Sequence, residues 1–362
     1  MLPGGPRMTR ARDLGIALGG KPGPHNAITD IPGVEVGYTT LIEGSSVRTG
    51  VTAILPRGRS RFDVPCSAGT FSLNGNGEMT GRAWLAETGS LTLPVLITST
   101  HSVGQCHRGT IDWVVRERPD AAAEWLLPVV AETWDGYLND VNAPTIRTDH
   151  AVAAIDAATS GPIAEGSVGG GTGMTCYGFK GGTGTSSRVV SHGSDSYTVG
   201  ALVQANFGSR PELTVAGTHL GTELADDNPM ADTSWLAPAG AGSVIVVIGT
   251  DAPLLPGQCT ALARRVPLGL ARTGTTGSHF SGDLFLAFST ANAGALTSHF
   301  PRPDDEPYES MRFIPWGAID PFFEAVVQAV EEAVLNALVA NEEMVGHRGH
   351  RVPALPLARW GA

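Results

Sequence analysis

Several short stretches of the chain alternate hydrophobic and polar residues, and others are continuously apolar. Val34, Val36 and Tyr38 recur at every second position after a Pro-Gly turn, which predicts a strand. Runs rich in β-branched residues and bounded by turn residues predict further strands at 93–100, 197–208, 243–249 and 281–292. The pattern therefore predicts abundant sheet.

Helical spacing is found in other segments. The longest such segment is 321–346, which predicts a helix that covers a sheet with its apolar face. This face consists of residues four positions apart: Phe322, Val326, Val330, Val334 and Leu338. A helix within 251–273 is predicted to open at Asp251 and a proline turn. Shorter helices are predicted at 82–91, 110–118 and 151–159.

The order of these elements indicates one domain, 1–362, because the chain shows neither an internal repeat nor a flexible linker between autonomous halves. Two stacked sheets between helix layers would accommodate so many buried runs, so the predicted fold class is α/β. Residues 209–242 are polar, contain Pro and Gly and lack clear periodicity near their end, which predicts an exposed loop. This loop leads directly into the strand at 243.

Composition and charge exclude some classes of function. The 362 residues carry 35 acidic and 24 basic side chains, a net charge of -11, with no dense basic run, so a nucleic-acid binder is disfavoured. No apolar stretch approaches the roughly 18 to 20 residues of a membrane span. Because the N-terminus lacks the features of a secretory signal, we expect a cytoplasmic protein.

The side chains that bind metals and nucleotides lack the required spacing. The four cysteines are far apart and predict buried free thiols, and the ten histidines form no HExxH set, so no metal or cofactor is expected. In the glycine-rich segment 167–184, Lys180 precedes Gly181 and Gly182 instead of following a phosphate loop, and no helix follows. Tight turns explain these glycines. A catalytic Ser-His-Asp triad remains an alternative, although the GxSxG nucleophile motif is absent.

The junction between Gly242 and Ser243 joins a predicted exposed loop to a buried strand. A serine hydroxyl there can attack the preceding carbonyl if the loop is strained, and glycine does not hinder the attack. Cleavage would turn Ser243 into a chain start whose α-amine, with a pKa of about 7.7 to 8.0, could activate its own hydroxyl. The alternative is a serine that only caps the loop.

Seven ordered blocks along nearly the whole chain resemble the DmpA-type aminopeptidases, the L-aminopeptidase/D-esterases that include β-peptidyl aminopeptidases. The blocks are AITDIPGVEVGY, NGNGEMTG, PVVAETWDGYLND, VGGGTGMTCYGFKGGTGTSSR, LVQANFG, SVIVVIGTDAPLLP and SGDLFLAFSTAN. The resemblance implies a four-layer αββα sandwich, shared with the ornithine acetyltransferases. It also implies an inactive chain that cuts itself at Gly242–Ser243 into fragments 1–242 and 243–362, which stay assembled.

The same resemblance implies roles for four polar residues. Ser243 would be the nucleophile for self-cleavage and catalysis, and the Asn206 amide would help to form the oxyanion hole. Ser281 and Asp283 lie two apart on a strand and so point to one face. They resemble the family's serine and carboxylate beside the nucleophile. This pair would orient the hydroxyl of Ser243 or hold its α-ammonium group. Whether the α-amine or this pair is the base stays open.

The block AETWDG implies the substrate contacts. Glu132 matches the glutamate that binds the substrate's amino group, a role that pairs a carboxylate with an ammonium. Trp134 stands where the family often has a tyrosine, and an indole can only donate through its N–H. Nearby Tyr137 could compensate for the missing hydroxyl.

The sequence therefore predicts a self-processing serine aminopeptidase that releases a small L-, D- or β-amino residue from short peptides, amides or esters, without metal or cofactor. One alternative is an acyltransferase of the ornithine acetyltransferase type, although that group usually has a threonine nucleophile. Another is a binding protein on the same scaffold. The resemblance also implies a homo-oligomer, a tetramer of processed protomers.

Overall fold

The computed structural model describes residues 9–231 and 242–360. Its helices are α1 (Arg82–Thr88), α2 (Val103–Glu117), α3 (Thr148–Asp156), α4 (Pro256–Ala263), α5 (Val266–Ala271) and α6 (Asp320–Val339). The longer strands are β1 (Glu35–Glu43), β2 (Val47–Leu55), β3 (Cys66–Ser72), β5 (Val95–Ser99), β6 (Val129–Thr133), β9 (Gly182–His192), β10 (Asp195–Asn206), β13 (Gly242–Thr250) and β14 (Ser281–Ser289). The two-residue strands are β4 (Ser90–Leu91), β7 (Thr175–Cys176), β8 (Phe179–Lys180), β11 (Thr214–Val215), β12 (Thr218–His219), β15 (Met344–Val345) and β16 (Arg351–Val352).

Two sheets form the centre of the fold. One has the strand order β1-β2-β5-β6, and the other has the order β4-β3-β14-β13-β10-β9. In the six-stranded sheet β13 pairs in parallel with β14 and antiparallel with β10. Helices α2 and α3 pack on the four-stranded sheet, and α4 and α6 pack on the six-stranded sheet. The predicted αββα sandwich is confirmed.

The alternation of side chains along each strand separates the layers of the core. Ile245 and Val247 of β13 face the other sheet, where they pack with Ile54 and Ile97. Val246, which points the other way, joins the cluster that packs against α6. Because β13 is buried on both faces, its sequence is continuously apolar.

Two helix predictions need correction. The structure begins α2 at Val103, seven residues before the predicted start, because a polar first turn hides the periodicity. The segment 251–273 forms two helices, and α4 begins at Pro256, directly after the N-cap residue Leu255. Asp251 does not open the helix, because its carboxylate accepts a hydrogen bond from the Thr198 amide at 2.7 Å.

The described part of the predicted exposed loop at 209–242 is mostly exposed or half-buried, as predicted, but a few of its residues are buried. Leu213 and Leu220 are buried, and so is Arg210, whose guanidinium donates to the carbonyls of Tyr177 and Gly178 at 2.8 and 2.7 Å. A buried cation needs such acceptors, and these carbonyls come from a distant part of the sequence. Residues 232–241 of the predicted loop lie outside the described residues.

A buried ionic cluster connects α6 to two arginines that precede β13 in the sequence. The Glu332 carboxylate accepts hydrogen bonds from Arg188 at 2.7 Å and from Arg12 at 2.9 Å, and Glu332 is fully buried. Breaking such a pair leaves an uncompensated charge in the interior, which typically costs about 3–5 kcal/mol. The cluster therefore joins residues on both sides of the predicted cleavage point.

The four cysteines are free and buried, which confirms the prediction. Burial raises the pKa of each thiol, so these groups stay protonated and pack as small apolar side chains.

Candidate active site

Ser243 lies at the start of β13, between two strands that carry other predicted site residues. It is directly opposite Asn206 of β10 and Gly282 of β14. Since Ile245 and Val247 face the space between the sheets, strand alternation points the Ser243 side chain to that side as well. Ser243 is 2% exposed, so its hydroxyl is held by the protein and not by bulk water.

The main chain of Trp134, just beyond β6, connects Ser243 to Asn206. The Trp134 N–H donates to Ser243 Oγ at 3.1 Å, and Asn206 Nδ2 donates to the Trp134 carbonyl at 2.8 Å. The edge of the four-stranded sheet thus meets the centre of the six-stranded sheet at the serine hydroxyl.

The side-chain amide of Asn206 has a fixed orientation. Its Oδ1 accepts a hydrogen bond from the Thr175 amide at 2.9 Å, which requires the oxygen to face that backbone N–H. The NH₂ end is therefore directed towards the Trp134 carbonyl, and Asn206 lies opposite Ser243 in the strand register. Asn206 is 6% exposed, so this donor is already desolvated.

Ser281 and Asp283 of β14 form a hydrogen-bonded pair. Ser281 Oγ donates to Asp283 Oδ1 at 2.5 Å, and Asn74 Nδ2 donates to Asp283 Oδ2 at 2.9 Å. Burial raises the pKa of the Asp283 carboxyl, and these hydrogen bonds only partly offset the effect. The carboxylate lies in a site where an added cation would be favourable.

The pair and the Ser243 hydroxyl lie on opposite faces of the six-stranded sheet. Leu284 of β14 faces the other sheet, whereas Phe285 belongs to the helix-side cluster, so Ser281 and Asp283 share the face of Phe285. The Gly242–Ser243 peptide lies between them, because Gly242 is opposite Ser281 in the strand register. The strand register therefore places the pair beside the part of β13 that contains the Gly242–Ser243 peptide.

Glu132 is a buried carboxylate at the end of β6. Its Oε1 accepts a hydrogen bond from the Glu78 amide at 2.9 Å, and its Oε2 accepts one from the Thr100 hydroxyl. Burial raises the pKa of Glu132 despite both bonds, and no described Lys or Arg forms an ion pair with it. The carboxylate is therefore suited to a ligand that carries an ammonium group.

Two glycines form the contact between Glu132 and β14, the strand that pairs with the nucleophile strand β13. A Cβ at position 77 would lie 3.2 Å from Glu132 Oε1 and 3.0 Å from the Cα of Gly282. A Cβ at Gly282 would lie 2.7 Å from the Cα of Gly77. Because both positions lack side chains, Glu132 can lie close to the strand that pairs with Ser243.

Comparison with known proteins identifies the family. The sequence model of peptidase family S58 matches residues 26–352. The chain belongs to peptidase family S58. The S58 chain is 48% identical to the β-peptidyl aminopeptidase BapA of Sphingosinicella microcystinivorans, over 96% of this chain and 90% of that one. It is 45% identical to BapA of Sphingosinicella xenopeptidilytica, over 96% and 89% of the two chains.

Solved structures agree with this assignment. The L-aminopeptidase D-Ala-esterase/amidase of Ochrobactrum anthropi, a serine aminopeptidase with a variant of the Ntn hydrolase fold, superposes with a TM-score of 0.89 at 45% identity, covering 97% of the S58 chain and 96% of its own. A β-aminopeptidase of Burkholderia sp. gives 0.89 at 46% identity, covering 97% of each chain. The predictions of an aminopeptidase with a serine nucleophile are confirmed, and the acetyltransferase alternative is not favoured.

The main chain and the indole ring of Trp134 make different contacts. In the S58 peptidase the contacts to Ser243 and Asn206 come from the Trp134 backbone, which any residue could supply. The indole ring lies over Gly136, where a Cβ would be 2.4 Å from Trp134 Cζ2. Tyr137 is buried, and its ring stacks on the ring of His350 with 4.3 Å between the ring centroids.

A wide apolar groove of about 560 Å³ lies elsewhere on the S58 peptidase. Its walls include Trp84, Trp125, Leu127 and Phe300, and none of the predicted site residues lines it. The groove is therefore separate from the serine and its partners.

Sequence reasoning missed several residues of this site. Thr100, which holds Glu132, follows a buried strand with no motif of its own, and Thr175 acts only through its backbone N–H. Gly77 and Gly282 matter because the tertiary fold leaves no room for a Cβ.

Proposed function

We propose that this S58 peptidase cleaves its own Gly242–Ser243 bond and then removes small N-terminal residues from short peptides, amides or esters. The observation that carries the proposal is the convergence at β6: Glu132 lies two residues before Trp134, whose backbone contacts both Ser243 and Asn206. An ammonium site, a nucleophile and an oxyanion donor are thereby held by one segment.

The self-cleavage step uses the first peptide bond of β13, between Gly242 and Ser243. Ser243 Oγ attacks the Gly242 carbonyl carbon, the C–N bond breaks, and the acyl group moves to oxygen as an ester. Water then hydrolyses the ester and leaves a free α-amine on Ser243. A glycine at 242 supports this step, because a Cβ there would lie 2.2 Å from the Asn206 carbonyl oxygen.

Catalysis then follows the same chemistry with an external carbonyl. Ser243 Oγ forms a bond to the substrate carbonyl carbon, and the Oγ proton passes to the Ser243 α-amine and from there to the leaving amine. The Asn206 amide stabilises the tetrahedral oxyanion. Water releases the acyl group. The pair Ser281–Asp283 holds the α-amine, a role that its position beside the Gly242–Ser243 peptide in the strand register supports.

Strand order supports a stable assembly of the two fragments, 1–242 and 243–362. Strands β13 and β14 lie between β3 and β10 in the six-stranded sheet, so strands of the larger fragment flank both sides of the smaller one. The buried contacts of Glu332 with Arg188 and Arg12 add a further link. Separation would expose a central sheet edge and apolar strands to water.

Intact-mass spectrometry of the purified protein tests the proposal. We expect two species in place of the 37.5 kDa chain, with Ser243 as the new N-terminus by sequencing. Active protein that consists only of the unbroken chain would overturn the self-cleavage step.

The substrate class follows from Glu132 and its surroundings. A buried carboxylate without an ion-pair partner among the described residues favours a ligand with a free α- or β-amino group, and two relatives are named β-peptidyl aminopeptidases. In the described ranges no helix is long and apolar enough to cross a membrane. We place the enzyme in the cytoplasm, and the family resemblance supports a homo-oligomer, a tetramer of processed protomers.

Replacing Glu132 by glutamine should weaken binding of the substrate's ammonium group. A hydrogen bond to a charged group contributes about 1.5–3 kcal/mol, so we expect KM to rise by about 10- to 100-fold. Burial raises the pKa of Glu132, and a protonated Glu132 no longer attracts the ammonium group. The wild-type KM should therefore increase as the pH falls through that raised pKa. The variant should lack this increase, the acid limb of the pH profile. Steady-state kinetics between pH 4 and 9 measure both effects.

The matched control is Glu87→Gln, which changes an exposed glutamate on α1. Its kinetic constants should equal those of the wild type. A Glu132→Gln protein with an unchanged KM and the same acid limb would show that the amino group binds elsewhere.

A further inference from the structure

A buried lysine lies behind the predicted oxyanion site, and no step above uses it. Lys180, in β8, is completely buried, and no carboxylate among the described residues forms an ion pair with it. The chain has only one other lysine, the exposed Lys21. Burial lowers the pKa of Lys180 to about 7, the direction expected for a cation removed from water.

The amine of Lys180 is satisfied by two backbone carbonyls. Its Nζ donates to the carbonyl oxygen of Met174 at 3.0 Å and to that of Gly181 at 2.7 Å. The Lys180 amide also donates to the Pro353 carbonyl at 2.8 Å, which fixes the backbone of β8. An amine carries at least two N–H bonds on either side of a pKa near 7, so both contacts persist in either protonation state.

The peptide group between Met174 and Thr175 joins this amine to Asn206. Its carbonyl accepts the bond from Lys180, and its N–H donates to Asn206 Oδ1 at 2.9 Å. At the other end of the same side chain, Asn206 Nδ2 donates towards the active site, to the Trp134 carbonyl at 2.8 Å. Three consecutive hydrogen bonds therefore run from the lysine amine to the site.

Both groups within this chain of hydrogen bonds are amides, in which the oxygen and the nitrogen are conjugated. A donor at the oxygen withdraws electron density from the nitrogen, so the N–H becomes a stronger donor to the next acceptor. The effect passes through the Met174–Thr175 peptide and then through the Asn206 amide. A stronger Nδ2 donor stabilises negative charge on an oxyanion better than it stabilises a neutral carbonyl.

We propose that Lys180 is a positioning residue that polarises and orients the Asn206 amide through the Met174–Thr175 peptide group. This inference rests on the proposed function, because it takes Asn206 as the oxyanion donor. Lys180 acts on the transition state and does not contact the substrate.

The test compares Lys180→Met with Lys21→Met, which removes the other lysine of the chain. For Lys180→Met we expect kcat to fall about five- to tenfold, the usual range for one hydrogen bond, with KM unchanged. The affinity for an aminoalkyl boronic acid, which forms a tetrahedral adduct with Ser243, should fall by the same factor. The affinity for an amino alcohol of equal length, which forms no such adduct, should not change. Lys21→Met should match the wild type.

A double-mutant cycle shows whether Lys180 acts through Asn206. In an Asn206→Ala background, Lys180→Met should cause no further loss of kcat, since the amide that it polarises is gone. An unchanged kcat for Lys180→Met, equal loss of boronic acid and amino alcohol affinity, or additive losses in the cycle would overturn the inference.

A second variant covers the case in which Lys180→Met does not fold. Lys180→Gln keeps N–H donors on a shorter side chain, so we expect a smaller loss of kcat. The affinity for the boronic acid should fall by the same smaller factor, and the affinity for the amino alcohol should not change. Wild-type kcat without that selective loss would overturn the inference. An uncleaved, active wild type would instead overturn the proposed self-cleavage, so the two failures are distinguishable.

Discussion

Replacing Ser243 by alanine is expected to leave the chain in one piece and to abolish hydrolysis. Both the self-cleavage and the acyl-enzyme need the Ser243 hydroxyl, which the Trp134 amide contacts at 3.1 Å. Loss of a serine nucleophile typically lowers kcat by about 10⁶-fold. A denaturing gel should show a single band, and a p-nitroanilide assay should give a rate near background.

Two further variants show whether this loss is specific to the nucleophile. Ser243→Cys keeps a nucleophilic atom, so we expect detectable cleavage at position 242/243 and residual hydrolysis. Ser45→Ala changes an exposed turn serine and should be processed fully. Cleavage of the Ser243→Ala chain at the same bond would show that another group performs the attack.

Replacing Asn206 by alanine is expected to lower kcat by about 10²- to 10³-fold, the loss typical for one oxyanion donor. The NH₂ end of this amide is fixed by the Thr175 N–H and is buried beside Ser243, so it needs no reorganisation when the oxyanion forms. KM should change little, because the interaction is stronger in the transition state than in the ground state. Self-cleavage should slow as well, since it passes through the same kind of intermediate.

The expected pattern can be tested by steady-state kinetics and by the time course of processing. Asn206→Asp replaces the donor with an acceptor of the same shape and should lose at least as much kcat. Asn142→Ala, at an exposed position, should behave like the wild type. If Asn206→Ala raised KM and left kcat unchanged, the amide would serve ground-state binding instead.

Much of the fold could be predicted from the sequence, because local patterns act over a few residues. The apolar run at 243–249 and the stripe of 321–346 predicted β13 and α6, and the number of buried runs predicted two sheets between helices. The predictions were wrong where burial depends on distant residues. Arg210 reads as a loop arginine, and only its contacts with the carbonyls of Tyr177 and Gly178 make it part of the interior.

For the site as well, some features could be predicted from the sequence and others depend on contacts between distant residues. The family resemblance brought Ser243, Asn206 and Glu132 together as candidates, although their roles stay predictions until the variants are measured. No pattern could indicate that the Trp134 backbone joins two of them, since a main-chain N–H and C=O are common to nearly all residues. The same holds for the Met174–Thr175 peptide between Lys180 and Asn206.

The sequence by itself determined the layers, the buried strand that carries Ser243 near its start and the residue types available for chemistry. These properties follow from side-chain periodicity and composition, which are local to the chain. Only the tertiary structure decided which face of a strand each polar group occupies, which carboxylates are left in the interior without an ion pair, and which backbone amides reach the serine. Hydrogen bonds and desolvation depend on distances of a few ångströms between residues that can be more than a hundred positions apart, so they exist only after the sheets have packed.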